Sequence, residues 1–174
     1  MVTDQRSFPF VSGPEPLLLI LGSFPGKKSL QEGQYYAHPR NAFWPIMGRL
    51  FGAGPELPYE DRLERLRFAR VALWDVLLSC ERTGSMDGAI LADRAAPNDF
   101  QGFFRDHPTL LAIFFNGRKA TELFERFILP GLDMGPRSLA RKTLPSTSPA
   151  YASKNLDQKA KDWRVLLELR SVRP

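Results

Sequence analysis

Residues 17–44 read LLLILGSFPGKKSLQEGQYYAHPRNAFW. The opening run, Leu17 to Leu21, has no polar alternation, which is the signature of a strand buried on both faces in a parallel sheet. Beyond it the chain enters a long segment carrying Gly22, Pro25, Gly26, Tyr35, Tyr36, His38, Pro39 and Asn41. Three more runs have the same buried-strand character: Val71 to Asp75, Leu110 to Phe115 and the shorter Lys142 to Leu144. Helical patterns lie between them. Asn41 is placed to N-cap a helix through Leu50, with Pro45 in its first turn and Gly52 beyond its end. In KATELFERFIL, Ala120, Leu123, Phe124 and Phe127 share a face, and Pro130 with Gly131 stops the helix. Ser153 is placed to cap a helix striped by Leu156, Ala160, Trp163 and Leu167. Strands alternating with helices predict a doubly wound α/β sandwich in one domain, residues 1–174.

Composition narrows the class. A length of 174 residues with 43% hydrophobic and 25% charged residues suits one compact domain. The net charge of +5 favours a polyanionic partner. Cys80 is the single cysteine and His38 and His107 the only histidines, so an internal disulfide is excluded and no metal or iron–sulfur ligand set is expected. There is no basic N-terminal segment ahead of an apolar run and no stretch near 20 apolar residues, so the expectation is a cytoplasmic protein with no membrane span.

In an open parallel sheet, ligands bind beyond the carboxyl ends of the strands. There the first strand leads into GSFPGKKS, the second into WDVLLSCERTGS, the third into FNGRK and the fourth into LPSTSPAYAS. Each segment carries or neighbours cations: Lys27, Lys28 and Arg40; Arg82; Arg118 and Lys119; Arg141, Lys142 and Lys154. Singly these are ordinary surface charges; repeated at one sheet edge they predict a phosphate-facing rim. A base lifted from a duplex needs an aromatic face and polar groups for its edge, and QYYAHPRNAFW offers both. Phe43 and Trp44, in the first helical turn, read as core, whereas Tyr35 and Tyr36 read as loop residues. His38 suits catalysis or a backbone hydrogen bond that fixes the loop. GSFPG is neither a dinucleotide fingerprint nor a Walker loop; Ser23 and Ser29 lack a nucleophile-elbow context; Cys80 reads as a packed thiol.

GSFPGKKSLQEGQYYAHPRNAFW together with LPSTSPAYA resembles the uracil-DNA glycosylase superfamily, and within it the hypoxanthine-DNA (DNA-deoxyinosine) glycosylase branch. ALWDVLLSCERTGSMDGAI and PNDFQGFF are similar to further stretches of that branch. The resemblance implies a three-layer α/β/α sandwich with a central, mainly parallel four-stranded sheet. It implies a monofunctional base-excision repair enzyme, without cofactor, that flips a deaminated nucleotide, hydrolyses its N-glycosidic bond and leaves an abasic site. Uracil or mismatch-specific excision, or a catalytically silent nucleic-acid-binding domain, are the alternatives. Ser23 stands where the wider superfamily often has a water-positioning Asp or Asn, and Ser146 stands where the uracil enzymes have a histidine. The branch's asparagine after AHPR is matched by Asn41, so the catalytic candidates are Asn41, Ser23 and His38. Gly22, Phe24, Pro25, Gly26 and Tyr36 would form the base pocket, with Asp75 and Asn116 either reading the base or capping turns. Lys27, Lys28, Arg40 and the segment Ser146, Thr147, Ser148, Pro149, Ala150 and Tyr151 would engage DNA. The expected partner is DNA containing a deaminated base, met by a monomer.

Overall fold

A computed structural model describes residues 5–81 and 95–170. In chain order its elements are β1 (Gln5–Arg6), β2 (Leu18–Gly22), α1 (Lys27–Glu32), α2 (Phe43–Phe51), α3 (Tyr59–Phe68), β3 (Val71–Asp75), β4 (Leu77–Cys80) and β5 (Ala96–Pro97), then α4 (Phe100–Asp106), β6 (Ala112–Asn116), α5 (Arg118–Phe127), α6 (Met134–Arg137), β7 (Ala140–Leu144), α7 (Leu156–Trp163) and α8 (Val165–Arg170).

The four expected apolar runs form one sheet in the order β3-β2-β6-β7, every pair parallel. The reason β2, β3 and β6 are buried at every position is visible in the packing. Leu18, Ile20, Val71, Leu73, Ala112 and Phe114 face a cluster with Phe43, Trp44 and Trp163. Their neighbours Leu19, Leu21, Ala72, Trp74, Ile113 and Phe115 face a second cluster with Phe100, Phe103, Phe104, Leu123 and Phe124. Helices α2, α3 and α7 therefore cover one face and α4 and α5 the other, giving three layers. At one edge, Val11 and Leu73 exchange backbone hydrogen bonds of 2.8 Å, which shields β3. The other edge strand, β7, is exposed from Ala140 to Thr143, and its Arg141 and Lys142 discourage edge pairing.

Chain order runs from β2 outward to β3, then back across to β6 and β7. The connections leaving β2 and β6 thus diverge, opening a crevice at their carboxyl ends. Gly22 and Asp75 are register partners there, as are Asn116 and Leu144.

The structure differs from the sequence expectations in four places. The run Lys142 to Leu144, read as a buried strand, is the exposed outer strand β7, in which only Leu144 is buried because the strand lies at the sheet's edge and carries Arg141, Lys142 and Thr143. WDVLLSCERTGS is not simply a loop: Val76 and Leu77 N–H groups donate to the Gly22 and Ser23 carbonyls, and β4 then pairs antiparallel with β1 and β5 in a separate small sheet. Its short, locally irregular strands gave no periodic signal. Arg82 and most of ERTGSMDGAI lie outside the described residues. Ser153 does not cap the C-terminal helix. Asn155 does, its Oδ1 accepting from Gln158 N at 3.0 Å while Gln158 Oε1 accepts from Asn155 N at 2.9 Å, a reciprocal capping box. The helix is also interrupted at Arg164, so Leu166 rather than Leu167 reaches the core. Among the described residues no helix is long and apolar enough to cross a membrane.

Asn155→Ala is expected to lower unfolding stability by about 1 kcal/mol, and Ser153→Ala to leave it unchanged; urea denaturation of the two variants distinguishes the caps.

Candidate active site

The crevice is an open cleft of about 810 Å³. Gly22, Ser23, Phe24, Pro25, Gly26, Lys27, Lys28, Tyr36, His38, Asn41, Asp75, Asn116 and the whole of Ser146 to Tyr151 line it. Of the site residues read from sequence, Arg40 alone is not part of the lining; it is exposed on the flank. Tyr35, Ser29, Gly117, Arg118 and Lys119 also contribute.

The floor depends on Gly22. A β-carbon there would lie 2.4 Å from Asp75 Oδ1 and 3.0 Å from Tyr36 Oη, so only glycine admits the carboxylate and the phenol to the same point on the sheet edge. Asp75 is 3% exposed, and its carbonyl accepts from Asn98 Nδ2 at 2.9 Å.

Tyr36 has φ of 54°, a left-handed conformation that is unfavourable for an aromatic residue by about 1 to 2 kcal/mol. Its neighbours impose it. Tyr35 N donates to Tyr59 Oη at 2.9 Å, the Tyr35 carbonyl accepts from Trp44 Nε1 at 2.9 Å, and Ala37 N donates to Ser29 Oγ at 3.2 Å. The Tyr36 ring is stacked on Phe43, centroids 4.0 Å apart at 23°, so one face is supported from behind. Tyr35, read as a loop residue, is core at 3% exposure. Its hydroxyl donates to the Pro9 carbonyl at 3.0 Å. Burial, then the Asp75 charge, raises its pKa and keeps that donor protonated. Phe43 and Trp44 are core as expected.

Asn41 both caps and lines the cleft. The helix begins at Phe43 with Ala42 in the cap position, yet it is Asn41 Oδ1 that accepts the Phe43 N–H at 2.9 Å. Pro45 falls at the third helical position, where no intrahelical donor is needed. The amide oxygen accepts one helix N–H and keeps a second lone pair, and the Nδ2 end carries two donors, so both ends of the amide can serve a ligand. His38 Nδ1 accepts from Arg40 N at 3.1 Å, and its carbonyl accepts from Asn41 N at 2.8 Å. His38 thereby shapes the turn that presents Asn41.

Asn116 is joined to Thr147 on both sides of its amide. Nδ2 donates to Thr147 Oγ1 at 2.8 Å and Oδ1 accepts from Thr147 N at 2.9 Å. Thr147 is fully buried, and its carbonyl accepts from Ala42 N at 2.9 Å. A β-carbon on Gly117, at φ 91°, would meet Ser146 Cβ at 3.0 Å, so glycine is required where these segments cross. The clamp has no signature in sequence, because its partners are 31 residues apart. Ser146 Oγ accepts from Ser148 N at 3.2 Å and Ser148 Oγ from Ala150 N at 3.2 Å, folding the segment into tight turns. Tyr151 is exposed at its tip.

The basic rim is assembled in part. Lys27, Lys28, Arg118 and Lys119 border the cleft; Lys28 pairs with Glu32 at 2.5 Å and Arg118 with Glu122 at 3.1 Å. Lys142 and Lys154, the latter paired with Asp162, border an adjoining groove. Arg141 turns back to the Arg137 carbonyl at 2.6 Å. Cys80 is buried among apolar side chains.

Residues 8–169 match the family model for the uracil DNA glycosylase superfamily. A Methanosarcina acetivorans protein named hypoxanthine DNA glycosylase is 39% identical over 165 residues, covering 93% of this chain and 97% of its own. A Methanosarcina barkeri protein of the same name is 36% identical over 119 residues, 68% of this chain and 74% of its own. A solution NMR structure from M. acetivorans, described as a candidate uracil DNA glycosylase, superposes with a TM-score of 0.77 at 36% identity, covering 96% of this chain and 99% of that one.

Thr147→Val leaves Asn116 Nδ2 buried without an acceptor, an expected loss of about 1 to 3 kcal/mol of stability. Thr147→Ser, which keeps the hydroxyl, is expected to retain most of it; parallel urea unfolding curves check both.

Proposed function

The chain belongs to the uracil DNA glycosylase superfamily, and from that premise we propose that it is a monofunctional DNA glycosylase that flips hypoxanthine out of DNA and hydrolyses its N-glycosidic bond. One domain, residues 1–174, carries the activity, acts as a monomer and needs no cofactor. The names of its two curated relatives support the choice of base. The observation that carries the reading is Asn41, whose oxygen is held by the Phe43 N–H inside a cleft that also contains a fixed aromatic ring and a buried carboxylate.

The chemistry divides among these groups. Water adds to C1′ of the sugar as the bond to N9 breaks. The bonding electrons leave with the purine, and the proton released by water ends on the free base. Positive charge develops on the sugar and negative charge on the base, so a donor aimed at the departing purine lowers the barrier. The Asn41 Nδ2–H is that donor. Tyr36, backed by Phe43, provides the stacking face for the flipped base. Deamination of adenine converts its N1 acceptor to an N1–H donor. The Asp75 carboxylate accepts from such a donor and repels the unprotonated N1 of adenine. Gly22 to Gly26 supply backbone groups around the base, with Ser23 among them as a further catalytic candidate lining the cleft and His38 holding the Asn41 turn. Asn116 acts through Thr147 to fix the segment from Ser146 to Tyr151, which enters the DNA near the vacated stack. Lys27, Lys28 and Arg40 attract the phosphates.

Ser146 offers no imidazole to stabilise a departing uracil anion, which favours hypoxanthine over uracil within the same mechanism.

Asn41→Ala is expected to slow single-turnover excision by roughly 30- to 1,000-fold, corresponding to about 2 to 4 kcal/mol of transition-state stabilisation. Asn41→Asp keeps the cap acceptor, so it is expected to melt like the wild type yet excise slowly. Full activity in either variant removes Asn41 from the chemistry and directs attention to Ser23, His38 and Asp75.

A further inference from the structure

Lys159 lies on α7 one turn before Trp163 and is 4% exposed, a burial that lysine rarely accepts without a partner. Its Nζ donates to the Ser148 carbonyl at 3.2 Å and lies 5.4 Å from the centre of the Tyr151 ring, within the range of a cation–π contact. Burial lowers its pKa, as expected for an ammonium drawn out of water. On the same helical face, Trp163 Nε1 donates to the Pro145 carbonyl at 3.0 Å. Helix α7 thus holds the segment at its start and in its middle, with Thr147 clamped between by Asn116. Beyond Thr147 the turn is closed on itself by the Tyr151 N–H, which donates at 3.1 Å to the same Ser148 carbonyl that Lys159 reaches. A buried ammonium at this point is poorly placed to meet phosphate; both of its contacts belong to the turn.

We propose that Lys159 is a positioning residue for base flipping: held under the turn by the Ser148 carbonyl and the Tyr151 ring, it sets the segment Ser148 to Tyr151 in the conformation that enters the duplex. The proposal rests on the glycosylase reading above. Its consequence is specific to substrate form. A single strand has no base pair to break and only weak stacking to part, so excision from it depends little on the preset turn, whereas excision from a duplex depends on it strongly.

Single-turnover release of hypoxanthine is measured for wild type and Lys159→Met on a duplex and on the same strand alone. Loss of the ammonium is expected to slow duplex excision roughly tenfold while changing the single-strand rate less than about twofold. In Tyr151→Ala background the Lys159 substitution is expected to add no further duplex loss, because both act through one turn. Equal losses on the two substrates, no loss on either, or additive losses overturn the inference. A wild-type protein that releases hypoxanthine from neither substrate would instead overturn the glycosylase reading. If Lys159→Met melts at a lower temperature than wild type, Lys159→Gln, which retains an amide donor, is run beside it; the same duplex-to-single-strand ratio in all three proteins overturns the proposal.

Discussion

The reciprocal hydrogen bonds between Asn116 and Thr147 are the constraint on which the cleft depends. A side-chain amide at the end of β6 presents donor and acceptor together, and Thr147 answers with its hydroxyl and its backbone N–H. Both partners are buried, so neither bond competes with water and breaking one strands the other group in a low-dielectric site. The Thr147 carbonyl then accepts from Ala42. One short chain of hydrogen bonds therefore joins a central strand, the turn-rich segment after β7 and the start of α2. Two walls of the cleft, separated by about a hundred residues of sequence, are held in fixed relation by it.

The segment leading into α2 is held in a strained conformation. Tyr36 sits in a left-handed conformation because Tyr35 and Ala37 are fixed on either side of it and Phe43 supports its ring. Such strain persists where the surroundings over-determine the backbone, and it removes the need to order the ring when a ligand arrives. Glycine at position 22 completes the arrangement by letting Asp75 and Tyr36 converge on the same strand end. The sheet thus supplies positions and the packing supplies rigidity, which is what a reaction helped chiefly by orientation and charge placement requires.

Three strands of the central sheet, β2, β3 and β6, were legible because they are buried and almost wholly apolar, a pattern produced by covering both faces. The exposed edge strand β7 does not share it. The segment after β2 was legible because its residue types are poorly explained by packing alone. Less was readable where structure depends on distant partners. Tyr35 looks like any loop tyrosine until Tyr59, Trp44 and Pro9 are brought around it. Ser153 reads as the cap in sequence, whereas Asn155 holds the helix, because the glutamine three residues after it completes a capping box. The small antiparallel sheet escaped because β1 and β5 are too short to show a period. Asn41 was legible as a cap or as a catalytic group; its contacts make the two compatible, since the helix takes one lone pair of its oxygen and the cleft borders the rest.

The central claim is that this cleft removes hypoxanthine by hydrolysis. Its most direct test is excision by excess wild-type protein on matched duplexes carrying a single hypoxanthine, uracil, xanthine or adenine, followed by alkaline cleavage of abasic sites. The account predicts a break at the hypoxanthine, forming faster than at uracil, and none at adenine. Binding to every duplex with no break in any strand would contradict it and leave a nucleic-acid-binding domain without catalytic function.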